Sequence, residues 1–144
     1  MSKKDLRALA RRFFDECNKG KAAAIAAMDE FYATDVIVHS GTGEDLYGLK
    51  DYKRYMNDLF TAFPDAYWTI DDQIVEGNKK AARLTMTGTH KGELMGMRST
   101  NKKVRNQMIS FSVRDAAGKV VEEWLKFDTL GFMQQLGVIP TPKK

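Results

Sequence analysis

The chain predicts an α+β fold in which three N-terminal helices pack on a curved antiparallel sheet that encloses a pocket. Three observations point there. Apolar residues recur at three- and four-residue steps as far as Phe63. Beyond Pro64 they alternate with polar residues instead, in runs separated by short turn signals. A sheet built from those runs has an apolar face to cover, and amphipathic helices wrapped by a curved sheet cover it while leaving a cavity. The 144 residues suit a single domain spanning 1–144.

The first helix carries Leu6, Leu9, Ala10, Phe13, Phe14 and Cys17 on one face and stops near Gly20. A second fits Ala22 to Phe31, with Ile25, Met28 and Tyr32 available for burial, and Asp35 to His39 reads as a short strand. Ser40 to Gly48 reads as a loop. The third helix begins at Leu49, shows Tyr52, Tyr55, Met56, Leu59, Phe60 and Phe63 on its apolar face, and is stopped by Pro64. Two strands then run over Tyr67–Glu76 and Lys79–Lys91, joined at Gly77-Asn78, whose residues both tolerate positive φ. A second hairpin joins Val104–Arg114 to Val120–Asp128 through residues 115–118, and a terminal helical turn covers Thr129 to Leu136.

Composition narrows the function classes. Hydrophobic residues make up 43% and charged residues 29%, an ordinary globular balance. The net charge of +4 comes from 23 basic and 19 acidic residues, mostly intermixed. The densest basic segment, Arg98 to Arg105, lacks the interleaved aromatics that stacked nucleotides need, so no nucleic-acid partner is expected. No apolar run reads as a signal peptide or membrane span, and a cytoplasmic protein with no membrane partner is expected. Cys17 has no second thiol to pair with and reads as a small core residue. Two histidines and scattered carboxylates show no metal-binding spacing, and no glycine-rich phosphate loop is present, so neither metal nor cofactor is expected.

The residues that carry chemistry are few. His90 ends a strand between Gly88 and Gly92, glycines that mark bends able to re-aim a side chain. It shares an apolar face with Leu84 and Met86, where a lone histidine reads either as packed core or as a pocket acid/base. His39 ends another strand. Asp128 shares a strand face with Trp124 and Lys126; it is either an acid/base against an apolar wall or the N-cap of the following helical turn. Phe60, Phe63, Tyr67, Trp68 and Trp124 are candidates to line an apolar cavity.

The stretch Gly88-Thr89-His90-Lys91-Gly92-Glu93-Leu94-Met95-Gly96, with Phe63-Pro64-Asp65 before it and Gln135-Leu136-Gly137 after it, resembles the SnoaL-like polyketide cyclase family, from about Phe13 to Pro140. The resemblance implies the cone-shaped NTF2-like fold and a histidine, His90 or His39, facing the pocket. It also implies a homodimer, for which Arg83, Thr85, Thr87 and Thr89 give the outer sheet face a polar, strand-like surface. In members that close a ring of an anthracycline precursor by aldol condensation, an aspartate on the last strand is the acid/base. Counted back from Gln135-Leu136-Gly137, that position is Leu125, and a leucine moves no proton. The assisting polar positions fall on Met108 and Ser110, or, shifted by one residue, on Gln107.

The expected function is therefore a small-molecule-pocket protein on an apolar, oxygenated ligand. It is read as a cofactor-free cyclase or isomerase-type enzyme in which His90, His39 or Asp128 moves a proton while Trp68, Trp124, Phe60, Phe63 and Gln107 bind substrate. The alternative is a non-catalytic ligand-binding or dimerisation module, which Leu125 favours. A ketosteroid-isomerase-like site would need a tyrosine and a carboxylic acid together in the pocket, and the sequence does not place Tyr32 or Tyr55 there.

Overall fold

A computed structural model describes residues 2–142. Helix α1 (Lys3–Cys17) starts at a capping box in which the Ser2 hydroxyl accepts from the Asp5 amide at 3.2 Å. Helix α2 (Lys21–Phe31) follows after Gly20, and β1 (Tyr32–His39) leaves it directly. A three-residue strand, β2 (Asp45–Tyr47), lies within the segment expected to be loop, hydrogen-bonded along His39, Val38 and Ile37. Helix α3 (Leu49–Ala62) buries Leu49, Tyr52, Met56 and Phe60 on the stripe its periodicity requires.

The rest is a meander of β3 (Tyr67–Glu76), β4 (Lys79–Thr89), β5 (Lys103–Arg114) and β6 (Val120–Phe127), closed by helix α4 (Thr129–Leu136). The β3–β4 turn uses Gly77 at φ 60°, whereas the Asn78 side chain donates to the Arg114 carbonyl at 3.2 Å.

All six strands form one curved, unclosed sheet in the order β2-β1-β6-β5-β4-β3. The meander is antiparallel as expected, and the β1–β2 pair is antiparallel too, but β1 runs parallel to β6, which makes the sheet mixed. Alternation identifies strands without giving their direction. The first strand, arriving from the helices, pairs with the free edge of the last, where Val36 and Val38 extend the buried face.

The helices cover the concave face. Phe13, Cys17, Met28, Tyr52, Met56 and Phe60 form one buried cluster there with Val38, Met86 and Leu125 from the strands. Cys17 is buried as expected, and burial pushes its thiol up to about 12, so it holds its proton at neutral pH.

Candidate active site

Period-two alternation sorts each strand between concave and convex faces, and that sorting builds the site. On β6, Glu123 and Leu125 point inward; Trp124 and Lys126 point outward. On β5, Met108 and Ser110 face in, whereas Gln107 is exposed on the convex face. Together with Leu84 and Trp68 these side chains form the strand wall of a cleft of about 60 Å³. The opposite wall comes from Phe13 and Phe14 of α1 and from Tyr52, Tyr55, Met56 and Leu59 of α3, with Tyr32 at the end of α2.

Glu123 is the carboxylate inside this cleft. It is 6% exposed. The Tyr52 hydroxyl donates to its Oε1 at 2.9 Å, and the Tyr32 hydroxyl meets that of Tyr52. Burial pushes the Glu123 carboxyl above its ordinary value; Tyr52, Lys80, Arg114 and Ser110 pull it partly back. The tyrosines shift upward from the same burial and from the nearby carboxylate, Tyr55 to about 12, so they remain donors at neutral pH.

This combination of tyrosine and carboxylic acid is the one the sequence left unplaced. Tyr32 and Tyr55 both line the cleft, and Glu123 supplies the acid. The signal was present: once Leu125 is inward, alternation makes Glu123 inward as well, roughly 7 Å further back along the strand.

Of the residues singled out from sequence, Trp68 lines the cleft. Phe60 sits behind it, its ring edge-on to Trp68 at 5.6 Å. His90 and Phe63 come together elsewhere in the core, with ring centroids 5.5 Å apart. His90 is fully buried, and its Nδ1 bonds the Thr100 hydroxyl at 3.0 Å. His39 and Trp124 also meet, stacked at 5.0 Å on the convex face. There His39 bonds Glu122 at 2.8 Å and Asp45 at 3.0 Å, and both carboxylates, Glu122 foremost, raise its affinity for a proton. Asp128 caps α4, accepting from the Gly131 amide at 2.9 Å. Gln107 offers its backbone carbonyl to the Asp128 amide at 3.3 Å. Among the described residues no group of three or more His, Cys, Asp or Glu side chains is placed to hold a metal ion. No helix among them is long and apolar enough to cross a membrane.

Residues 8–136 match the sequence pattern of the SnoaL-like polyketide cyclase family. AclR of Streptomyces galilaeus, a candidate hydroxylase, has a similar solved structure, with 25% identity, TM-score 0.84 and coverage of 99% of this chain and 87% of that one. A candidate SnoaL-like polyketide cyclase from Jannaschia sp. CCS1 shares the fold at 19% identity and TM-score 0.85, covering 97% of this chain and 98% of its own. A candidate polyketide cyclase from Acidithiobacillus ferrooxidans shows 25% identity and TM-score 0.79 over 96% of this chain and 99% of that one. No curated protein sequence matches the chain.

Proposed function

We propose that this chain, which belongs to the SnoaL-like polyketide cyclase family, is a cofactor-free acid–base enzyme that enolises a small carbonyl compound, with Glu123 as the proton-transfer group. The observation that supports this reading is the buried Glu123–Tyr52 pair, 2.9 Å apart, at the polar end of an otherwise apolar cleft. Ionised Glu123 removes a proton next to the carbonyl; burial has strengthened it as a base. Tyr52 holds the carboxyl in one orientation. Tyr55, protonated and facing the cleft, donates to the oxygen on which enolate charge develops. Trp68, Met108 and Leu125 hold the carbon skeleton and keep water from the nascent enolate.

Size sets the substrate class. A water molecule needs at least about 10–15 Å³, so about 60 Å³ admits a small molecule and no four-ring skeleton unless Met56, Leu59 or Met108 moves aside. Leu125 in the position of the family's aspartate points the same way, against the anthracycline route.

The test is exchange of α-hydrogens for deuterium in D2O, followed by proton NMR with small ketones and oxo acids. Glu123→Gln is expected to lower the exchange rate about 100-fold or more, and Tyr55→Phe about tenfold. Undiminished exchange in Glu123→Gln refutes the assignment. A second reading, a binding module without chemistry, is favoured by Leu125. It is established instead if ligands change Trp68 fluorescence while the unmodified chain exchanges nothing.

A further inference from the structure

One inward row of the concave face crosses all six strands: Leu46, Val38, Glu123, Ser112, Lys80 and Val75 are successive cross-strand partners. All six are buried, Lys80 to 3% exposure. Into that row the sequence sets one anion and one cation, with only Ser112 between them. Neighbouring strands lie about 5 Å apart, so the two side chains leave the backbone about 10 Å from each other, and a lysine stem covers more than half of that span.

The pair is close without touching. Among the described residues Lys80 has no carboxylate oxygen at ion-pair distance. An ammonium in contact with Glu123 would occupy an oxygen that the base needs; held beyond contact, it leaves those oxygens to Tyr52, Ser110 and the cleft, while its charge still acts through a poorly screening interior. Such help is needed, because burial favours the neutral carboxyl and a protonated Glu123 removes nothing. Around the carboxyl stand Tyr32 at the start of β1, Tyr52 and Tyr55 from α3, Lys80 from β4 and Arg114 from β5. From α1, Cys17 acts on Tyr32 and is itself protonated. The tyrosines stay neutral, and Arg114 gives one N–H to the Gly118 carbonyl at 3.0 Å. Lys80 is the cation in the row of Glu123 itself. Burial, with Arg114 nearby, lowers it from 10.5 to about 8, so it stays charged through the acid range in which a carboxyl titrates.

We infer that Lys80 is a positioning residue for the cleft: from behind the strand wall its charge keeps Glu123 ionised, and so sets the lower pH limit of the reaction. Lys80 is not among the residues that line the cleft, so it acts through Glu123 and not on the substrate. The inference rests on the reading of Glu123 as the base and adds the control of its protonation state.

The experiment titrates the Glu123 carboxyl by carbon NMR of the full chain labelled at the glutamate δ-carbons, with Glu123→Gln to identify the signal. In parallel, the pH profile of α-hydrogen exchange is measured on butanone, an uncharged probe to which the charge of Lys80 offers no ion pair. Lys80→Met is expected to raise the carboxyl midpoint by at least about one pH unit, tenfold in proton affinity, and to move the acid limb of the exchange profile up by the same amount. Lys80→Gln, a second neutral side chain, is expected to do likewise, whereas Lys80→Arg, which keeps the charge, leaves the midpoint within about half a unit. A lysine with a merely structural role would change the melting temperature or the plateau rate and leave the midpoint in place, and that result in either neutral variant overturns the inference. A midpoint that moves in a chain whose exchange is absent, or is unchanged in Glu123→Gln, removes the enolisation reading and leaves the coupling of Lys80 to Glu123 standing.

Discussion

At the scale of single residues, the proposed chemistry turns on Glu123, whose Oε1 accepts from the Tyr52 hydroxyl at 2.9 Å. Leu125 could be identified as the position where an acid was missing, and the structure puts it on the cleft wall. Glu123 lies in mid-strand, where burial leaves no local mark in the sequence except alternation, whereas Asp128 stands at a strand end. Asp128 accepts from the Gly131 amide. Asp128→Asn is therefore expected to keep the melting temperature and Asp128→Ala to cost about 1 kcal/mol, measured by denaturant unfolding. Lys80 offers a pH test. Burial and Arg114 lower it from 10.5 to about 8, so the folded state disfavours its charge. A base with a depressed folded pKa contributes stability that is present above its unfolded value and lost as pH falls through the folded one. Lys80→Met is thus expected to be more stable than the unmodified chain at pH 7, by at most a few kcal/mol, with the gap closing as pH rises from about 8 towards about 10.5. Parallel unfolding curves at pH 7 and pH 10 check this; a gap that does not narrow counts against it.

At the scale of elements, the helices and hairpins were legible because each has a local cause: a 3.6-residue stripe, a glycine turn, a proline stop. Pairing was less so, since the parallel contact of β1 with β6 depends on partners far apart in sequence. The Gly88–Gly96 stretch was recognised as a bend, but what it does became visible only in contact with α3. The Lys91 and Gly92 amides both donate to the Ala62 carbonyl, at 2.9 and 3.2 Å, fastening the loop to the end of that helix. A Cβ on Gly92 would meet the Thr61 carbonyl oxygen at 2.1 Å, a contact with backbone that cannot rotate away. Gly92→Ala is expected to destabilise the fold by about 1–3 kcal/mol, read as a lowered melting temperature. Because His90 follows β4 directly and its carbonyl accepts from Asn101 and Ser99, the same variant is expected to perturb the His90 ring resonances in NMR.

At the scale of the whole molecule, the convex face carries a stripe across five strands: Ile74, Ala81, Phe111, Trp124 and His39 are successive cross-strand neighbours. Ile74 is 68% exposed and Phe111 39%, an apolar band of the kind that marks a contact surface. On one side Arg83 and Lys126 outweigh Asp72, and on the other Glu76 and Glu122 outweigh Lys79. A two-fold axis along the stripe would set the basic flank of each copy against the acidic flank of the other, which is why a second copy is the expected partner. Light scattering at micromolar concentration is expected to give twice the 16.3 kDa chain mass, and Phe111→Glu to return it to one. A single-chain mass for the unmodified protein removes the proposal.

The place of β6 between β1 and β5 also has a bearing on biosynthesis. As the nascent chain leaves the ribosome, the N-terminal helices and β1 emerge first, but the neighbour that continues the sheet beside β1 begins only at Val120. Until then the edge of β1 that will meet β6 is unpaired, and Val36 and Val38 have only β2 and the helices beside them. Such long-range closure belongs to the slow class of folding reactions, milliseconds to seconds, and a ribosome stalled before Val120 would hold an aggregation-prone half-cone in need of a chaperone.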